Sequence, residues 1–233
     1  MKSKILFSVI LLVGFLISNP LLAKDDTREL PPFSEIALRI SAKVYLEQGE
    51  KQSVRIVADA EALEQIITEV KNRSLIIRFP NTNIFKRWDP GKIEIYISVP
   101  EINSLNISGS GDIISDEVKT RILDLLVSGS GNIKIKQLSA EQVNATVSGS
   151  GNIDVEDGGI AEALKARISG SGNIDASGFE AKNIDIQTSG SGNCSVNSNG
   201  LIKVRISGSG NVYYDGNPAI ESSIAGSGKV KER

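Results

Sequence analysis

Ile107-Ser108-Gly109-Ser110-Gly111-Asp112-Ile113 is the first of seven related segments that recur through the second half of the chain. We call this seven-residue pattern the glycine motif. Its later copies begin at Val127, Val147, Ile168, Thr188 and Ile206, and a divergent copy begins at Ile224. The first glycines of successive copies are 20, 20, 21, 20, 18 and 18 residues apart. A fixed period of this length is typical of a solenoid, in which each repeat forms one coil and neighbouring coils bury its apolar face.

The alignment of the copies places apolar residues in two columns. One column is the first residue of the motif, and the other lies two residues earlier. The earlier column consists of Leu105, Leu125, Ala145, Ala166, Ile186, Val204 and Ser222. Apolar residues at every second position, repeated from coil to coil, predict parallel strands stacked about 4.8 Å apart.

The predicted fold class is an all-β parallel β-solenoid, or β-helix, with about seven motif-bearing coils of 18–21 residues. Steps of 20–21 residues favour a right-handed or irregular coil, whereas the final 18-residue steps also suit a left-handed, three-sided coil. The strand-rich part before the motif copies is less regular and carries one short predicted helix.

The first 23 residues have the pattern of a secretory signal peptide. Lys2 and Lys4 give a positive start, and residues 5–17 are nearly all apolar. Pro20 ends the apolar run, and Ala23 supplies the small residue expected before the cleavage site. The run is too short for a membrane-spanning helix of about 20 residues. We therefore expect an exported protein, in the periplasm, on the outer surface or secreted, with no transmembrane segment in the mature chain.

The remainder of the chain divides into three parts. Residues 24–32 are expected to form a flexible lead-in. Residues 33–100 are rich in predicted strands, with a short helix near residues 60–70. Residues 101–233 carry the copies of the glycine motif. We expect residues 33–230 to form one continuous domain.

The composition argues against several classes of function. The chain has 26 basic and 28 acidic residues and a net charge of −2, whereas nucleic-acid-binding domains present a basic face. The absence of histidine removes the commonest general base near neutral pH and the commonest metal ligand. Cys194 stands where other copies have Ile or Val, which indicates a small buried residue. We expect no enzymatic activity, no cofactor, no bound metal and no nucleic acid partner.

The glycines and asparagines of the motif are interpreted as structural. Glycine in a strand costs about 0.5–1 kcal/mol relative to alanine, so its repeated use indicates tight corners or close backbone approach. The structural glycines are Gly109, Gly111, Gly129, Gly131, Gly149, Gly151, Gly170, Gly172, Gly190, Gly192, Gly208 and Gly210. Stacked asparagines can hydrogen-bond from coil to coil, as in cross-β assemblies. The asparagine column consists of Asn132, Asn152, Asn173, Asn193 and Asn211. Alternatively, the serines and asparagines form an exposed strip that also binds a partner.

The motif copies resemble the bacterial head GIN domain, also called an auto-transporter adhesin domain. The upstream segments Phe33-Ser34-Glu35-Ile36, Val44-Tyr45-Leu46-Glu47-Gln48-Gly49 and Val54-Arg55-Ile56 resemble it as well. The resemblance covers residues 33–230. It implies an exported β-solenoid of bacterial envelopes with an adhesin-like role, and it supplies no catalytic residues.

The favoured hypothesis is a non-enzymatic envelope protein that presents a flat, repetitive Ser/Asn surface to a glycan or a protein partner. Phe85, Lys86, Arg87 and Trp88 are candidate partner-binding residues, because aromatic and arginine side chains dominate binding hot spots.

The alternative hypothesis is an enzyme that acts on polysaccharide. Asp154 and Asp175 occupy the same position in adjacent coils. Their carboxylates would then lie about 5 Å apart, which is the separation found in retaining glycosidases.

Overall fold

The computed structural model describes residues 24–80 and 89–233, which form β-strands and one short helix. Before the motif copies, the elements are β1 (Lys24–Arg28), β2 (Glu35–Leu38), β3 (Lys43–Gln48), β4 (Ser53–Ala58), α1 (Ala60–Gln65), β5 (Ile67–Lys71), β6 (Ser74–Arg78), β7 (Glu94–Val99) and β8 (Ser104–Gly109). The later strands are β9 (Asp112–Gly129), β10 (Asn132–Gly149), β11 (Asn152–Gly158), β12 (Ile160–Gly170), β13 (Asn173–Gly190), β14 (Cys194–Asn197), β15 (Leu201–Gly208), β16 (Val212–Asp215), β17 (Ala219–Gly226) and β18 (Val230–Glu232). The predicted all-β parallel β-solenoid with one short helix is confirmed.

The strands of the repeat region stack in parallel and form two walls. The first wall contains the strand segments that end in the glycine motif, and the second wall contains the segments that follow it. β9 and β10 contribute to both walls, and their register runs from the pair Asp112–Asn132 to the pair Gly129–Gly149. Because each motif copy pairs residue for residue with the next, equivalent side chains form columns along the solenoid axis.

The core lies inside the coils and is filled by the predicted apolar columns. Val127 and Val147 are fully buried, and Ile168 is 2% exposed. Burial of each such side chain contributes roughly 1.5–3 kcal/mol relative to exposure. The columns are not buried in β17, where Ile224 is 41% exposed and Ser222 is also exposed. The expectation that these two residues are buried is wrong, because β17 pairs with β15 alone among the described strands.

Spatial order and sequence order differ in the part before the motif copies. β2 lies between β6 and β8, and β3 lies between β7 and β9, with all of these strands parallel. The coil formed by β6 and β7 is therefore outside the coil formed by β2 and β3, although it comes later in the chain. Antiparallel pairs of β5 with β6, β4 with β7 and β1 with β4 complete this end and cover strand edges that other chains could extend.

The first five residues of the expected flexible lead-in, 24–32, form β1. This strand pairs with the edge of β4 from Lys24–Ala58 to Arg28–Val54. An ion pair of 3.1 Å between Arg55 and Asp25 adds to the backbone pairing. The polar composition of the segment predicted a loop, but an available strand edge orders its beginning.

The helix is shorter than the segment 60–70 that the sequence predicts. α1 ends at Gln65, and β5 occupies most of the remainder. The β-branched sequence Ile66-Ile67-Thr68 disfavours a helix and suits a strand. Asn72 and Arg73 then both adopt positive φ, 52° and 65°, and connect β5 to β6 in a tight hairpin.

Candidate functional site

The glycine motif forms the corner between the two walls. Gly129 has a φ of 128°, a conformation that residues with a side chain rarely adopt. Its carbonyl oxygen accepts backbone hydrogen bonds from Ser150 at 2.8 Å and Gly151 at 3.0 Å in the next coil. A Cβ atom on Gly151 would overlap the carbonyl oxygen of Gly131 and would lie 2.6 Å from Cγ1 of Val127. The glycines therefore allow successive backbones to stack closely at the corner.

The asparagine column makes a ladder of hydrogen bonds along the axis. Asn152 donates from Nδ2 to Oδ1 of Asn132 at 2.8 Å, and its own Oδ1 accepts from Nδ2 of Asn173 at 2.9 Å. Two further bonds of 3.1 Å extend the ladder to Asn211. At the other end, Asn132 donates to Oδ1 of Asp112 at 2.8 Å. The asparagine side chains are therefore engaged within the protein.

Replacement of Asn152 by alanine is expected to lower the free energy of unfolding by about 1–3 kcal/mol, because Asn132 and Asn173 both lose a hydrogen-bond partner in a partly buried column. Denaturant midpoints of the wild type and the variant measure the effect. Asn217→Ala is the control, since the exposed side chain of Asn217 makes no hydrogen bond with a described residue. An unchanged midpoint for Asn152→Ala would mean that the column is a solvated face without a stabilising ladder.

The first serines of the motif copies have a different environment. Ser148, Ser169, Ser189 and Ser207 are exposed and lie in register on adjacent strands of the first wall, and we call them the serine row. Their hydroxyls make no hydrogen bond with any described residue. The serine row is thus free to bind a partner, as are the second serines of the motif, such as Ser150 and Ser191, which are also exposed.

An open groove of about 490 Å³ runs along the serine row. Its other side is an outward column two residues earlier in each coil. That column consists of Thr146, Arg167, Gln187, Arg205 and Ser223. We call this feature the serine groove. Its hydroxyl, amide and guanidinium groups can hydrogen-bond a polar chain that lies parallel to the solenoid axis.

A second groove, of about 690 Å³, lies on the second wall beside β3 and β7, and we call it the tyrosine groove. Tyr45 and Tyr96 stack with ring centroids 5.1 Å apart, and the Arg55 guanidinium lies 4.2 Å from the Tyr96 centroid. Ile114 is the strand neighbour of Tyr45 on the other side. The rings thus lie in a row between neighbouring side chains, where stacking and the cation–π contact stabilise the outer coils. The sequence does not indicate this groove, because β3 and β7 are distant in the chain.

The structure places Asp154 and Asp175 in register on adjacent strands of the second wall. Burial and the nearby Asp175 carboxylate raise the pKa of Asp154 above its ordinary value. Asp175 Oδ1 accepts hydrogen bonds from the backbone N–H of Ser177 at 3.1 Å and from its hydroxyl at 2.6 Å. Neither carboxylate lines the serine groove or the tyrosine groove, so the pair lies apart from the two largest concave surfaces described above.

The remaining residues singled out by the sequence either lie outside the described ranges or do not line either groove. Phe85, Lys86, Arg87 and Trp88 are outside the described residues, and so is the signal peptide, residues 1–23. Cys194 is buried as predicted, and burial raises the pKa of its thiol to about 12, so it is not a reactive nucleophile. In residues 24–80 and 89–233, no group of three or more His, Cys, Asp or Glu side chains is arranged to hold a metal ion.

Comparison with known proteins gives one family. A family model described as "Putative auto-transporter adhesin, head GIN domain" matches residues 32–218. A search of curated proteins finds no match. Within the described parts of the chain, no helix is long and apolar enough to cross a membrane.

Several solved structures have a similar fold. A "putative adhesin" from Bacteroides fragilis NCTC 9343 is 24% identical with a TM-score of 0.83, and the match covers 91% of this chain and 97% of that one. A "putative lipid binding protein" from Parabacteroides distasonis ATCC 8503 is 24% identical with a TM-score of 0.74 and the same coverage. A "putative adhesin" from Parabacteroides merdae ATCC 43184 is 19% identical with a TM-score of 0.71, covering 91% of this chain and 96% of that one. At these identities the likeness establishes the fold alone.

Proposed function

Because the chain belongs to the head GIN domain family of adhesin-like proteins, we propose that it is an exported, non-enzymatic envelope protein that binds a glycan along the serine groove. The observation that carries this proposal is the serine row. Its hydroxyls are exposed, have no partner among the described residues, and recur on adjacent strands about 4.8 Å apart. A glycan chain likewise repeats hydroxyl groups along its length, so several coils can bind it at once.

The asparagines and the serines of the motif have different roles. The asparagine side chains hydrogen-bond one another and hold the coils in register. The serine row is directed to solvent, beside a concave surface of a volume within the range of small-ligand sites. This division supports a binding role for the serines and a structural role for the asparagines. Of the expected Ser/Asn binding surface, we therefore propose that the serines alone contact the ligand.

A groove-blocking variant tests the proposal. We expect the wild-type protein to bind a subset of glycans on an array, and Ser189→Trp to weaken that binding by about tenfold or more, because an indole ring would occupy the groove. Ser191→Trp is the matched control, since Ser191 is exposed in the same motif copy and does not line the groove. Equal binding by the two variants, or no glycan binding by the wild type, would contradict the proposal. Binding to a purified envelope protein instead would identify a protein partner.

The alternative, a glycosidase that uses Asp154 and Asp175, is supported by the raised pKa of Asp154, which suits a general acid. We expect the alternative to fail: purified protein incubated with the same glycans should release no shorter chains. Any trace activity should persist in Asp154→Asn and Asp175→Asn, because it would come from a contaminant. Turnover that is present in the wild type and lost in both variants would instead establish an enzyme.

A further inference from the structure

The outward column beside the serine row carries two positive charges. Arg167, Gln187 and Arg205 occupy equivalent positions on three successive strands. Adjacent strands are about 4.8 Å apart, so the backbones at Arg167 and Arg205 are separated by roughly 10 Å along the axis. Within the groove, two guanidinium groups are therefore two coils apart, with the amide of Gln187 between them.

Neither guanidinium is neutralised by a strong ion pair. Arg167 is exposed and makes no hydrogen bond or ion pair with a described residue. Arg205 Nη1 lies 3.6 Å from Oδ1 of Asp185, which is beyond hydrogen-bond distance, and the Arg205 side chain is 62% exposed. A pair this exposed contributes little to stability, so an acidic group of a ligand can compete with Asp185 for Arg205.

The groove also differs in charge from the chain as a whole. The chain has a net charge of −2, whereas the side chains that line the serine groove carry two positive charges. The Asp185 carboxylate lies 3.6 Å from Arg205 but does not itself line the groove. Hydroxyls of Ser169 and Ser189 and the amide of Gln187 add neutral hydrogen-bond donors between the charges. This combination matches a ligand that carries both acidic groups and hydroxyls.

We propose that the serine groove selects an acidic linear polysaccharide over a neutral one. The polymer lies along the solenoid axis, with carboxylate or sulfate groups on Arg167 and Arg205 and sugar hydroxyls on the serine row. The inference rests on the proposed glycan-binding function and specifies the charge of its ligand. It also predicts that the affinity falls as salt rises, because exposed charge pairs are screened.

The test compares three polymers and two charge-matched variants of the full chain. The polymers are polygalacturonate, which carries carboxylates, heparin, which also carries sulfates, and neutral dextran. Arg167→Gln with Arg205→Gln removes both groove charges. Arg121→Gln with Lys229→Gln removes two exposed charges that do not line the groove, and neither residue has an ion-pair partner among the described residues. Binding is measured by calorimetry at low and moderate salt, after circular dichroism has established that each variant is folded.

We expect the wild type to bind an acidic polymer more tightly than dextran, and the groove variant to lose roughly tenfold or more of that affinity while the control variant retains it. Equal losses in both variants, or no loss in the groove variant, would overturn the inference. Preference for dextran or another neutral glycan, with binding still blocked by Ser189→Trp, would overturn it and leave the proposed function intact. Failure to bind any glycan would contradict both.

Discussion

Replacement of Val147 by aspartate is expected to unfold the protein. Val147 is fully buried and lies in register between Val127 and Ile168 of the neighbouring coils. An aspartate at this position would place an unpaired carboxyl group among aliphatic side chains, at a cost of several kcal/mol. Folded proteins are stable by only about 5–15 kcal/mol, so one such change removes a large part of the total.

Thermal melts followed by circular dichroism measure this effect. The matched control is Ser148→Asp, which places the same side chain on the next residue but directs it to solvent. We expect the control to melt near the wild-type temperature and Val147→Asp to show no cooperative transition. A melt of Val147→Asp that coincides with the wild-type curve would be incompatible with stacked coils whose core is the motif column.

The repeat region could be predicted in detail because a fixed period specifies the register. Once the motif copies are aligned, the partner of each residue follows, and the structure pairs Val147 with Val127 as the alignment requires. The alternation within each coil then separates buried from exposed positions. The prediction is wrong only for the last coil, where Ile224 lacks a neighbouring strand on one side among the described residues.

The part before the motif copies could not be predicted to the same depth. Its strands have no common sequence pattern, so nothing in the sequence indicates that β2 lies between β6 and β8. The Tyr45–Tyr96 stack depends on that arrangement and was missed for the same reason. The hairpin at Asn72-Arg73 lacks the glycine that usually marks a tight turn with positive φ, so no turn signal in the sequence indicates the hairpin that follows the predicted helix.

The sequence predicts the candidate site only in part. The serines and asparagines were recognised together, but their parity alone does not tell which of them are free, and only the hydrogen bonds of Asn152 and its neighbours separate the two groups. The charges at Arg167 and Arg205 are not part of the repeated motif, because they precede it and the residue at that position varies from coil to coil. Alignment of that position would have revealed them, since it shares the face of the serine row.

Substitution of a corner glycine is also expected to destabilise the protein strongly. In Gly151→Ala, the new methyl group would overlap the carbonyl oxygen of Gly131 and approach Cγ1 of Val127 at 2.6 Å. The first contact is with backbone that already accepts a hydrogen bond from Asn152, so it cannot move aside without separating the coils. Overpacking usually costs about 1–3 kcal/mol, and contact with rigid backbone places this variant at or above that range.

A loss of about 3 kcal/mol would lower the melting temperature by roughly 6–12 °C in a protein of this size. Gly159→Ala is the control, because a Cβ atom on Gly159 would have no heavy atom within 4 Å and its φ is not positive. We expect the control to be neutral or slightly stabilising, since alanine restricts the unfolded chain more than glycine does. If both variants melted at the same temperature, the corner would have to widen without cost, and the glycines of the motif would need an explanation other than close stacking.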